Sequence, residues 1–245
     1  MSQPPAQFRR SRWQVAQRFF VSVARGLLDF VYPPYCVLCE ERLAPDDALV
    51  CKRCWDGLPR LTRGLKPGAH FSREEEKIYF ATSLAVWQYD NQVEQIIHLM
   101  KYDRKKSLAK RLGAAMGEVL LGNEPYARAA CLVPVPLHKA KLRERGYNQS
   151  LLLCEEISAA TRLPIVENTL QRIRYTKPQA TLGAEERIKN VDQAFAVKQK
   201  ERIAGRVCIL VDDVVTTGCT VNACARELRG AGASEVLVLT AARAG

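Results

Sequence analysis

Apolar residues recur along this chain in two rhythms, and the alternation between them predicts a layered α/β domain. Val207–Val211 is an unbroken apolar run of five, rich in β-branched side chains. A run that short reads as a strand buried on both faces of a parallel sheet. Ala130–Val135 and Val236–Thr240 read as further strands, Ile78–Tyr89 has strand character, and Ile165-Val166 begins a short one. Between them the period lengthens. Val93–Met100 is helical, and Lys105–Leu121 places Leu108, Leu112, Ala115 and Val119 on one face. Tyr147–Ala160 is helical with Asn148 as N-cap, and Asn222–Arg229 is an amphipathic helix. Strands alternating with helices of this length predict a parallel, doubly covered sheet. There are no internal repeats.

Upstream the pattern changes. Trp13, Ala16, Phe20, Val23, Leu27 and Val31 share one helical face, with Arg12, Arg18 and Arg25 on the other. Two readings stay open: a helix docked on its own domain, or an interfacial helix touching anionic lipid or a partner. No apolar run reaches the roughly 18 residues of a membrane span. Arg25 and Asp29 interrupt Phe19–Val31, and no small-residue cleavage site follows, so no export signal is expected. The expected location is therefore cytoplasmic, with the inner membrane face as the surface the N-terminal helix would meet. Gly64, Pro67 and Gly68, followed by a charged run, mark residues 61–76 as a linker. The expected organisation is a basic tail and helix over 1–31, a cysteine module over 32–60, the linker over 61–76 and the α/β domain over 77–245.

Charge narrows the choice of partners. The chain of 245 residues carries a net charge of +11. Five Arg against Asp29 give residues 1–35 a net +4, residues 36–60 come to −1, and the remainder to +8. A basic surface of this kind suits phosphate-bearing partners, either a small polyanion or nucleic acid; solubility alone is the other account.

The nine cysteines divide into a cluster and a scatter. Cys36-x-x-Cys39 and Cys51-x-x-Cys54 are two knuckles that can each direct two thiolates at one ion, completing a tetrahedral site. Residues 31–60 are too few to hold a core without a metal. Structural zinc, one ion per chain, is the expectation; two disulfides are the alternative and need an oxidising compartment. Cys131, Cys154, Cys208 and Cys224 read as core thiols.

The chemistry concentrates after Val211. Asp212 and Asp213 follow where the strand would end, and Thr216-Thr217-Gly218-Cys219-Thr220 forms a tight loop ahead of a helix. Backbone N–H groups of such a loop and helix start face an anion, and hydroxyls add donors. Glycine permits positive φ and close backbone approach. The acids can accept hydrogen bonds from vicinal sugar hydroxyls. Strand, acid pair, loop and helix start together make a phosphate-ribose site. The basic turn His138–Gln149 carries Lys139, Lys141, Arg143 and Arg145 against Glu144, so that Arg145 and Gly146 can set a guanidinium fork and bare backbone beside a pyrophosphate. A solvated turn is the plainer alternative.

All fourteen residues Val207–Thr220 resemble the 5-phosphoribosyl-1-pyrophosphate (PRPP) binding motif of type I phosphoribosyltransferases. Four further features resemble the ComF/GntX family, the competence protein F and DNA-utilisation group. These are the four-cysteine knuckle; Trp87–Asp90 through Ile97–Tyr102; Val133–Leu137 through Arg145–Gln149; and Thr176, Gln179, Leu182, Arg187, Asn190 and Phe195. The resemblance covers about Tyr32 to the C-terminus. At Cys219 the chain departs from the Ala or Ser that the family more often has.

The resemblance implies a type I phosphoribosyltransferase-like fold with an N-terminal zinc finger. It implies that Asp212 and Asp213 hold the ribose hydroxyls of PRPP bound with Mg²⁺, and that Val214, Val215 and Thr216–Thr220 cradle its 5′-phosphate. Arg145 and a basic residue of the 174–187 loop, Lys177, would offset the pyrophosphate. It further implies a role in DNA uptake or utilisation, with single-stranded DNA and the uptake machinery as partners. Tyr89, Tyr102 and Tyr147 are candidate stacking groups, with burial the more frequent place for a tyrosine. The alternative is an active phosphoribosyltransferase whose acceptor nucleophile no residue set marks.

Overall fold

The computed structural model describes residues 33–61, 77–103, 105–174 and 193–244. The N-terminal helix, residues 62–76 of the expected linker and the loop containing Lys177 lie outside the described residues. Two compact units divide the chain, residues 1–57 and 58–245.

The described residues of the first unit form two turns of chain and one short helix. Cys36 N–H donates to Glu41 O and Glu40 N–H to Cys36 O, closing a loop in which Glu40 takes a positive φ of 59°. Val37 N–H donates to Leu49 O, tying this loop to the second knuckle. Helix α1 (Lys52–Asp56) is capped by Cys51, whose sulfur accepts the Cys54 N–H.

The second unit is built on β1 (Thr82–Gln88), β2 (Cys131–Pro134), β5 (Val207–Val215) and β6 (Glu235–Arg243), in the spatial order β1-β6-β5-β2. Every neighbouring pair is parallel. Cys208–Val211 and Val236–Leu239 are fully buried, as central strands covered on both sides must be. One cover consists of α3 (Lys106–Leu121) and α6 (Gln149–Thr161), preceded by α2 (Asn91–Tyr102). The two helices approach closely at Gly113 and Gly117, where an added Cβ would lie 2.7 Å from Glu156 Cβ and 2.9 Å from Ala160 Cβ. The other cover is α7 (Cys219–Gly230), packing Val221, Cys224 and Leu228 against β5 and β6. The doubly covered parallel sheet is as expected.

Several boundaries move. Residues 78–81 are not strand, although Phe80 packs into the core. Ile165-Val166 contributes only a single bridge, from Ile165 to Leu132. An antiparallel pair, β3 (Leu170–Arg172) with β4 (Phe195–Val197), is too short to leave a period in the sequence. Helix α4 (Glu124–Ala127) is equally short, and the basic turn after residue 138 is helix α5 (Lys139–Arg145), closed by Gly146 at φ 84°. Helix α7 begins at Cys219, three residues before the expected start.

The most consequential shift is in β5. It does not end at Val211: pairing with β6 continues through Asp212↔Thr240 to Val215↔Arg243. The two acids therefore lie inside a strand rather than beyond its end. Their burial is sustained by partners on the helical cover.

Candidate functional site

Asp212 and Asp213 are 8% and 3% exposed. Asp212 Oδ1 accepts the Ser150 hydroxyl and the Asp213 N–H, both at 2.9 Å. Asp213 forms an ion pair with Lys101 Nζ. Ser150 comes from the first turn of α6, which Asn148 starts by accepting the Ser150 N–H at 3.0 Å while its own amide donates to Val135 O at 3.0 Å. Lys101 comes from the last turn of α2, whose N-cap Asp90 accepts the Val93 N–H at 2.8 Å.

Environment separates the two carboxyls. Burial, then the neighbouring Asp213 charge, pushes Asp212 up to about 8. Burial acts on Asp213 as well, but the Lys101 ammonium outweighs it and holds that carboxyl below the usual range, with Arg145 adding to the effect. Two adjacent buried carboxyls with one close cation keep one proton between them near neutral pH.

Beyond the acids the chain turns sharply into α7. Gly218, at φ 76°, is its N-cap, and no side chain caps the helix. The first N–H groups of a twelve-residue helix thus open beside the strand end, an anion-binding arrangement by dipole and donor count. Thr216 is exposed and Thr217 half-buried, its hydroxyl 3.2 Å from Cys219 Sγ. Val214 is half-buried, but Val215 belongs to the core, and its carbonyl accepts the Ala244 N–H. The Val215 side chain is therefore not part of a phosphate cradle.

Arg145 lies at the end of α5, bonded to Gln149 Oε1, with its guanidinium 5.3 Å from the centre of the Tyr102 ring. It lines a hollow of about 90 Å³ with Lys101, Tyr102, Lys141 and Glu144. The fold gathers Asp212, Asp213 and Arg145 in one region and adds Lys101 and Ser150, which spacing did not mark. Tyr102 is 55% exposed beside this hollow. Tyr147 is buried, its hydroxyl donating to Met100 O, and is not a stacking group. His138 is the N-cap of α5, its Nδ1 accepting the Ala140 N–H at 3.2 Å. Of the five cysteines outside the cluster, Cys131, Cys154, Cys208 and Cys224 are fully buried, and Cys219 is half-buried.

In the first unit the sulfurs of Cys36, Cys39, Cys51 and Cys54 lie within 4.8 Å of one another, with Cys39 and Cys51 3.8 Å apart. Zinc–sulfur bonds of ~2.3 Å in a tetrahedron require sulfurs ~3.8 Å apart, so the residues fit the ion. Burial raises the Cys36 thiol, but N–H groups of Cys51, Leu38 and Cys39 outweigh it and bring it down to about 6. Burial and the surrounding sulfurs push Cys54 up to about 12. Four thiolates at this spacing call for a cation.

Residues 141–245 match the Phosphoribosyl transferase domain family, and residues 27–65 match the Double zinc ribbon domain family. Within 27–65 the chain has four cysteines, enough for one tetrahedral centre. DNA utilization protein YhgH of Escherichia coli (strain K12) is 30% identical over 210 residues, 83% of this chain and 87% of that protein. Competence protein F of Haemophilus influenzae is 38% identical over 114 residues, 46% of this chain and half of that protein's length. The chain belongs to the ComF family. This ComF-family protein contains a type I phosphoribosyltransferase-like α/β unit and a structural zinc centre. Among solved structures, the glutamine PRPP amidotransferase of B. subtilis complexed with ADP and GMP aligns at a TM-score of 0.37 and 22% identity, over 54% of this chain and 26% of that one. Among the described residues of the ComF-family chain, no helix is long and apolar enough to cross a membrane.

Proposed function

We propose that this ComF-family protein binds PRPP with Mg²⁺ at the Asp212–Asp213 site and serves in DNA uptake or utilisation. The observation that carries the reading is a buried acid pair set one short turn before the uncapped, Gly218-started N-terminus of α7. In this reading the ribose hydroxyls donate to Asp212 and Asp213, and the 5′-phosphate accepts from the Thr216–Thr220 amides and hydroxyls. The oxygen donors of the acid pair and of a sugar polyphosphate suit a hard cation. When bound, Mg²⁺ would supply charge neutralisation to the polyphosphate. Arg145, and Lys177 from the loop outside the described residues, offset the pyrophosphate charge.

Calorimetric titration of PRPP with and without Mg²⁺ tests the site. Binding should require the cation and vanish in Asp212→Asn/Asp213→Asn; unchanged affinity in that variant refutes the assignment.

The DNA role follows the names of the relatives, and one surface favours direct contact with single strands. On α5, Lys139 and Arg143 are exposed, and exposed Tyr102 lies beside Arg145. Cations with an adjacent aromatic ring suit a phosphate backbone and its bases. Arg143→Ala/Arg145→Ala should flatten the dependence of single-strand affinity on salt. An unaltered slope removes α5 from that interface. The transferase alternative uses the same PRPP site and is distinguished by pyrophosphate release in the presence of an acceptor.

A further inference from the structure

The acid pair already holds a cation of its own. Lys101 reaches Asp213 from the end of α2, an end anchored by the Tyr147 hydroxyl on Met100 O and by Asp103 N–H on Leu99 O. Its side chain is 22% exposed, against 5% for Asp213. It is therefore the part of the pair that solvent and ligands meet first. Lys101 also lines a hollow with Lys141 and Arg145, where Glu144 is the one lining acid and is itself paired with Lys141 at 2.9 Å.

A bare divalent cation entering here meets three positive side chains and must displace an ammonium from a buried carboxylate. A polyphosphate carrying its cation meets attraction instead, and offers Lys101 a new anionic partner a side-chain rotation away. We propose that Lys101 is an internal counter-cation that bars the free divalent ion from the acid pair and releases Asp213 only when a polyphosphate brings its own cation. Polyphosphate and metal then enter as one unit. This rests on the PRPP reading above and adds an order of binding to it. Lys101 acts as a positioning residue, because its first partner is Asp213.

Mn²⁺ alone, followed by electron paramagnetic resonance on the full-length protein, reads the proposal without any turnover. Mn²⁺ prefers oxygen donors and does not compete for the four thiolates. Lys101→Met should bind Mn²⁺ at least ~10-fold more tightly than wild type, since a close competing charge is gone. Lys101→Arg, which keeps the charge, should behave as wild type, and adding Asp213→Asn to Lys101→Met should abolish the gain. Circular dichroism checks that each variant is folded; Lys101→Gln replaces the Met variant should that one fail. A folded, neutral variant that binds Mn²⁺ no better than wild type overturns the proposal, as does wild type binding Mn²⁺ alone as tightly as the variant. Failure of wild type to bind PRPP with Mg²⁺ overturns the earlier reading instead, so the two failures are distinct.

Discussion

Replacing Asp212 by Asn should make the protein more stable while removing its sugar site. Asp212 titrates at about 8 in the fold against an ordinary 3.8. An acid whose value is raised by folding gives up its proton more readily once unfolded. Wild type therefore loses stability as pH rises from about 3.8 toward about 8, and no further above that. Each pH unit in that window is worth up to ~1.4 kcal/mol, which sets a ceiling of ~6 kcal/mol. Asp213 works in the opposite direction, because Lys101 holds it low and its contribution is present at neutral pH. Structural relaxation reduces the figure further, so the gain expected for Asp212→Asn at pH 8 is roughly 1–3 kcal/mol. The amide carbonyl keeps the acceptor role toward Ser150 Oγ and the Asp213 N–H, so no hydrogen bond is lost. Urea unfolding followed by circular dichroism at pH 5, 6, 7 and 8 is the assay. The advantage of the variant should be small at pH 5 and grow toward pH 8. An advantage constant across that range, or a variant less stable than wild type at pH 8, refutes the reasoning.

Metal analysis should find one zinc per chain in the wild type and none in Cys36→Ser, with resonances of residues 33–57 collapsing to unfolded positions; a metal-free variant with those resonances intact contradicts the zinc centre. Gly117→Val should destabilise the second unit by roughly 1–3 kcal/mol through overpacking, because even one added carbon would meet Ala160 Cβ at 2.9 Å. Thermal unfolding within error of wild type would show that α3 and α6 can separate at no cost.

The sheet was legible because both-face burial writes continuous apolar runs, as in Val207–Val211. The zinc centre was legible because ligand chemistry demands thiols at short spacing. The length of β5 was not: two acids signal a strand end by propensity, and only Ser150 and Lys101, 62 and 112 residues upstream by number, make a buried continuation tolerable. Lys101 left no trace in the helical period, since a long side chain on the flank of an amphipathic helix reads as solvated. Helix α5 was read as a turn because seven residues with four cations and no buried side chain carry no apolar stripe. His138 and Gly146 close it at its two ends. Tyr147 takes the buried of its two open readings, a choice the sequence does not make because burial of one ring depends on the helices around it.

The most direct measurement is a crystal structure of the protein with PRPP and Mg²⁺. The ribose hydroxyls should lie on Asp212 and Asp213, the 5′-phosphate on the amides of Thr216–Thr220, and Lys101 should have left Asp213 for the polyphosphate. Ligand density elsewhere, with the Lys101–Asp213 pair intact and the start of α7 holding no phosphate, would contradict the account.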